Sequence, residues 1–344
     1  MVGRHAGLAL LWAALLLWFP AARAMEPGAK RLLVVDTQNT EPYTTITGAM
    51  LHALAQQGWA EGRNLQVLHI ALGRPEGAAE NIWRYDHGPD QDVVYLAGAI
   101  ANKAFLPIIK SAPNSRFVFA AVTDPVGLGL IEGFGVPPTG NVTGISLPVP
   151  ARDRLRFIRR LLPNAHTLGL IDGDLPESDS YRASLDRLVA EEPEFRGLKI
   201  FYRRIDFVSG DNGPERMAGA APPLVKELDP QVDAFLSPND QMGINPEYAH
   251  QVAASATKPL VGIVEPDARG GGGATMTIYP SLAGMGEQAA RMIAQLLAGA
   301  PIASLPAETP GTIGVAFDWP RIRHFGIAVP ADLAERARHP PPPG

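Results

Sequence analysis

The chain of 344 residues contains no cysteine. That absence excludes disulfides, a thiol nucleophile, a thiolate metal site and a lipid-bearing cysteine behind a leader. Also missing are a GxSxG elbow, an HExxH pair and a GxxxxGK[ST] loop, the signatures of common hydrolases, metalloproteases and ATPases. Positive charge is not in excess either: 30 Lys and Arg face 35 Asp and Glu, a formal net charge of −5. The one dense basic stretch, Arg152 to Arg160, sets Leu155 and Ile158, with Leu162 just beyond, at helical spacing. It reads as an amphipathic helix with a solvated basic face, not as a nucleic-acid-binding domain. The histidines, among them His52, His69, His166 and His250, show no ligand-like spacing, so neither a metal nor a cofactor is expected.

Long apolar runs are equally scarce. The stretch from Ala6 to Phe19 falls short of the ~20 residues that a membrane span needs. Arg4 and His5 precede it, and Pro20 and Ala22-Arg23-Ala24 follow, the order of a cleavable secretory signal peptide over residues 1–24. The expectation is export, cleavage after Ala24 and a soluble chain, not a lipoprotein, in the periplasm. What remains is too long for one ordinary core and suggests two lobes.

Apolar strand-like runs alternate with helix-like ones. Arg31 to Val35, Leu65 to Ile70, Val93 to Leu96 and Phe117 to Val122 form a first group. Thr167 to Ile171, Ile200 to Arg203, Ala234 to Leu236 and Leu260 to Val264 form a second. This alternation predicts βαβ units and parallel sheets. Pro148 and Pro150 suit a crossing between the groups, and the run Gly270 to Gly273 suits a second crossing or its approach. Ser281 to Ala298 is a helix candidate with Met285, Ala289, Met292, Ile293 and Leu296 on its apolar face. Residues 206–223, rich in Gly and Pro and without periodicity, read as a surface excursion, and residues 336–344 as a disordered tail.

In an open parallel sheet, polar residues at the carboxyl ends of strands face the ligand crevice. Thr123 and Asp124 stand at such an end, in the stretch FVFAAVTDPVGLGLIEGFGVPPTGNVTGIS from Phe117 to Ser146. The turn Gln38-Asn39-Thr40-Glu41-Pro42-Tyr43 follows the first strand. Either it docks a ligand carboxylate at the start of the next helix, with Asn39 or Thr40 as cap, or it is an ordinary cap and turn.

The Phe117 to Ser146 stretch resembles the TDPV…GNVTGIS segment of a family of ABC-transporter substrate-binding proteins, the group that includes receptors for tryptophan and related aromatic amino acids. The resemblance implies the type I periplasmic-binding-protein fold: an α/β chain of two Rossmann-like doubly wound lobes joined by three crossings, with a ligand between them. In these terms residues 25–147 plus 276–308 make the N-terminal lobe and residues 148–275 plus 309–335 the C-terminal lobe. It also implies ligand contacts in the first strand-to-helix turn, Gln38, Asn39, Thr40 and Tyr43, and at Thr123 and Asp124. Where the family reads EPNS this sequence departs and reads PESDS, with Ser178 and Ser180 as candidates. Ser237-Pro238-Asn239-Asp240-Gln241 resembles the family's PTDN turn, which brings an acidic residue to the ligand. Asn239 is a further candidate, and Asp240 either pairs with a ligand ammonium or caps the following helix. Glu265 ends another strand, and Tyr279 either stacks on a planar ligand or packs at the hinge.

The implied function is capture of a small molecule by hinge closure and its delivery to a cognate ABC permease. The protein would be a monomer that performs no chemistry and meets the membrane only through that permease. A periplasmic sensory protein of the same fold, reporting to a membrane kinase or receptor, is the alternative reading. A cleft hydrolase using Asp124 and Asp240 lacks any motif that orients a base or nucleophile.

Overall fold

A computed structural model of the chain describes residues 26–73, 77–210 and 212–341. The expected signal peptide lies outside the described residues. The chain builds two α/β lobes.

In the first lobe β1 (Lys30–Asp36), α1 (Tyr43–Gln56), β2 (Leu65–Ala71), α2 (Ala78–Tyr85), β3 (Val93–Ala97), α3 (Ala99–Ser111), β4 (Phe117–Val122) and β5 (Val142–Ser146) follow in order. The strands pair in parallel in the order β2-β1-β3-β4-β5. Their central members are apolar on both faces because both are covered. Leu32, Val34, Tyr95 and Val118 point to one face, where Ile46, Met50 and Leu54 of α1 pack. Leu33, Val35, Val94, Leu96 and Phe119 point to the other, under Ile82 of α2 and Phe105 and Ile108 of α3. Each such buried side chain contributes about 1.5–3 kcal/mol relative to exposure.

The second lobe continues with α4 (Ala151–Leu161), β6 (Thr167–Gly173), α5 (Pro176–Glu191), β7 (Lys199–Ile205), α6 (Gly213–Gly219), α7 (Ala221–Leu228), β8 (Ala234–Leu236), α8 (Pro246–Ser255), β9 (Leu260–Gly262) and β10 (Met276–Pro280). The chain then returns to the first lobe as α9 (Leu282–Leu297) before β11 (Ile313–Phe317), α10 (Trp319–His324) and α11 (Ala331–Arg338) complete the second. Its sheet runs β11-β10-β9-β8-β6-β7, parallel except for the β10–β11 pair. Leu155 and Ile158 of α4 and Leu185 of α5 cover one face; Met217, Val225 and Val252 of α6, α7 and α8 cover the other.

Three segments cross between the lobes: the stretch after β5, Ser281 after β10, and the stretch between α9 and β11. Two of them are tied together, since Ser281 N donates to the Thr312 carbonyl at 2.9 Å. Ser281 also caps α9, its Oγ accepting from Gly284 N at 3.1 Å.

The expected lobe boundary at residues 275 and 276 is displaced. Met276–Pro280 pairs with β9 inside the second sheet, so the crossing comes at Ser281. The glycine run before it belongs wholly to the second lobe. It folds against the backbone of Pro266 and Asp267, where a side chain on Gly272 would collide. The 206–223 excursion is likewise shorter than expected, because α6 begins at Gly213 with Pro214 in its first turn, and Met217 and Ala221 are core residues. Residues 336–338 are the last turn of α11 and not part of a tail.

Candidate ligand cleft

The chain leaves the first sheet at the carboxyl end of β5 and the second at the carboxyl end of β10, so both sheets turn those ends toward the hinge. Ligands of open α/β sheets bind at such ends.

On the first lobe, the turn after β1 is anchored by Thr37. Its Oγ1 donates to the Ala97 carbonyl at 2.9 Å and accepts from Ala101 N at 3.2 Å, fixing the turn to the start of α3. The half-buried Tyr43 ring lies over Gly98. Gly98 has φ +95°, and a side chain there would meet Tyr43 Cε1 at 2.6 Å. Burial raises the Tyr43 pKa, so its phenol is neutral around pH 7. Gln38 is partly exposed, Asn39 and Thr40 are exposed, and their side chains make no hydrogen bond among the described residues. No side chain caps α1, so neither Asn39 nor Thr40 takes the expected capping role; the Thr40 carbonyl instead accepts from Tyr43 N at 3.0 Å.

The end of β4 carries a bulge. Ala121 adopts φ +56°, rare for a residue with a Cβ, and the register with β5 shifts between Ala120 and Val122. The bulge re-aims the chain just before Thr123, a common device beside functional sites. Thr123 is half-buried, while Asp124 closes its own turn, Oδ1 accepting from Gly127 N at 2.8 Å.

On the second lobe, Asp240 is 3% exposed and turned inward. Its Oδ2 accepts from Gly173 N and Ser178 Oγ, both at 2.9 Å, and its Oδ1 from Gly243 N at 2.7 Å. Burial raises its pKa, partly offset by these donors. Asp240 does not cap the following helix α8, whose N-cap is Asn245, yet its role in the lobe is structural. It bonds the end of β6, the start of α5 and its own turn, and presents no open carboxylate to an ammonium. Ser178 is buried by the same contact and Ser180 is exposed on the helix.

Asn239 is held by a residue that the basic-helix reading hides. Arg154 of α4 is wholly buried, its Nη1 donating to Tyr181 Oη at 2.6 Å, the Ser237 carbonyl at 2.9 Å and Asn239 Oδ1 at 3.1 Å. The solvated face holds for Arg152, Arg156 and Arg160, which pair with Glu192, Glu194 and Asp332. Arg154 departs from it because it shares the apolar side with Ile158 and Leu161 at helical spacing, a signal present in the sequence.

Glu265 pairs with Arg269 at 2.6 Å. The Tyr279 hydroxyl is buried and its pKa is pushed up to about 12, by burial and then by the Glu265 charge. Its ring packs in the core of the second lobe. Glu177, beside Ser178 in the first turn of α5, was not among the expected residues. It is half-buried, and the charges of Asp124 and Lys103 from the opposite lobe reach it. A cavity of roughly 640 Å³ lies elsewhere, at the far end of α3, lined by Lys110, Val136 and Asn141 among others.

Residues 39–190 match the family model for ABC transporter substrate binding protein. A tyrosine-binding protein of Clostridioides difficile is 26% identical over 121 residues, 35% of this chain and 34% of that protein. The chain thus spans about a third of the length of that curated relative. Among solved structures, the ligand-free, open form of a Clostridium difficile substrate-binding protein with adhesive properties superposes with a TM-score of 0.70 at 15% identity, covering 88% of this chain and 97% of that one. An ABC domain from Streptococcus pneumonia in complex with L-Trp gives 0.65 at 20% identity, covering 90% and 98%. The family that the TDPV and GNVTGIS stretch resembles is the one whose model matches here: residues 39–190 match ABC transporter substrate-binding proteins, and the described chain carries the two-lobed fold of the solved structures.

Proposed function

We propose that the chain is the exported receptor of an ABC importer, capturing an aromatic amino acid or a close analogue between its lobes and handing it to a membrane permease. The observation that supports this most is the pair of polar walls at the facing carboxyl ends of two sheets, in a chain whose residues 39–190 match that family. Gln38, Asn39, Tyr43 and Thr123 form the first wall, and Glu177 and Asn239 the second. Asp240 and Ser178 hold the second wall in place. Tyr43 offers a ring face to a planar ligand, and the first turn offers donors to its carboxylate. Closure is a rigid rotation of two packed cores about the crossings, which absorb the dihedral change. The leader over residues 1–24 directs the chain to the periplasm, where it works without chemistry of its own.

A ligand that binds only the folded state raises the unfolding temperature. Thermal unfolding of the mature chain against a panel of amino acids and sugars should show a saturable rise with L-tryptophan or L-tyrosine. A rise with sugars alone would replace the ligand class.

A further inference from the structure

The second lobe carries many acids near its cleft-facing strand ends, and nearly all are engaged. Asp172 pairs with Arg182 and, at 3.4 Å, with Arg204; Asp174 and Asp179 pair with Arg204 at 3.1 and 2.6 Å. Asp240 accepts its three internal hydrogen bonds, and Asp267 accepts from Ile263 N and Val264 N. Glu265 pairs with Arg269. Asp206 stands exposed beyond the edge strand β7.

Glu177 is different. It is half-buried at the start of α5, and among the described residues its side chain has no ion-pair partner and no side-chain donor. Burial raises its pKa, partly offset by a hydrogen bond from its own backbone N–H, and the field at its carboxylate comes from both lobes: Asp240 from its own, and Asp124 and Lys103 from the other. A partly desolvated carboxylate without a cation is costly, and a charge-assisted hydrogen bond from a ligand offsets that cost.

We infer that Glu177 is the specificity residue for a cationic group on the ligand, accepting the ammonium of the captured amino acid. The inference rests on the aromatic amino-acid reading above and deepens it. It gives the ligand a direction in the cleft: ammonium toward α5, carboxylate toward the Gln38–Tyr43 turn, ring beside Tyr43.

The test is Glu177→Gln, which keeps shape and removes charge. Calorimetry on wild type and variant would use L-tryptophan, L-tyrosine and the desamino acid of each. The variant should bind the amino acid about tenfold to hundredfold more weakly, the range for losing a hydrogen bond to a charged group. Its affinity for the desamino acid should stay within about twofold of wild type, and its unfolding temperature should not fall. Unchanged affinity for the amino acid would overturn the inference and leave the receptor reading intact. Equal weakening of both ligands would overturn it too, making Glu177 a closure contact to Lys103, and a lowered unfolding temperature would make it a structural group of α5. If neither amino acid binds the wild type, the aromatic reading fails and the inference with it.

Discussion

Asp240 shows how residue type and residue role separate. An acid in a turn after a strand is a natural ligand contact, yet here its oxygens are spent inside the lobe. The expected outcome of Asp240→Ala is therefore lost stability, by about 1.5–3 kcal/mol for hydrogen bonds to a charged group, read as a lower urea midpoint with an unchanged slope. A normal midpoint with weakened ligand binding would return Asp240 to the ammonium role. Nothing in the sequence reveals which way this side chain turns, because its donors, Gly173 N and Ser178 Oγ, come from a strand and a helix more than sixty residues away in the chain. Arg154 was more accessible: its spacing with Ile158 and Leu161 marks the buried side of α4, but its charge suggests the opposite.

At the scale of elements, the close contact of α1 and α9 joins the first wall to the hinge. Gly286 of α9 sits against the backbone of α1, where a Cβ would meet the Ile46 carbonyl and come within 2.8 Å of Met50 N. Gly286→Ala should force the helices apart and cost about 1–3 kcal/mol as overpacking. It should also loosen ligand binding, because α1 begins at Tyr43. Thermal unfolding and calorimetry check both effects, and a variant as stable as wild type would show that α1 yields freely. The eight strands expected from apolar runs are present; the central ones are apolar throughout because both their faces are buried, whereas the edge strands β2 and β7 are only partly buried and carry polar residues as well. The missed strands are those that carry polar or turn-forming residues. Thr143 and Gly144 interrupt β5, Thr277 and Pro280 interrupt β10, and β11 follows a stretch of Pro and Gly. The helices α6 and α7 were hidden because Gly213-Pro214 and Pro222-Pro223, ordinary loop signals, lie here in first turns, where a missing N–H does no harm.

At the scale of the whole molecule, the two cores share little beyond three crossings, and capture between them has a physical signature. Each core is packed too tightly to deform, so a ligand bonded to both walls acts on the hinge alone. The proposed first wall follows from sequence alone, because Gln38, Asn39 and Tyr43 lie together in the turn after β1 and Thr123 directly follows β4, both carboxyl ends of apolar strands. The second was less so, since Asn239 is fixed by Arg154 across a tertiary contact between α4 and the end of β8, and the half-buried setting of Glu177 comes from packing that its place in a polar turn does not reveal. Capture between the lobes is tested most directly by a calorimetric titration of residues 25–344 with L-tryptophan and L-tyrosine, paired with small-angle scattering on the same samples. One site per chain is expected for at least one of the two, with micromolar or tighter affinity and a smaller radius of gyration at saturation. Absence of saturable binding by either amino acid, or binding to several weak sites with an unchanged radius, would contradict it.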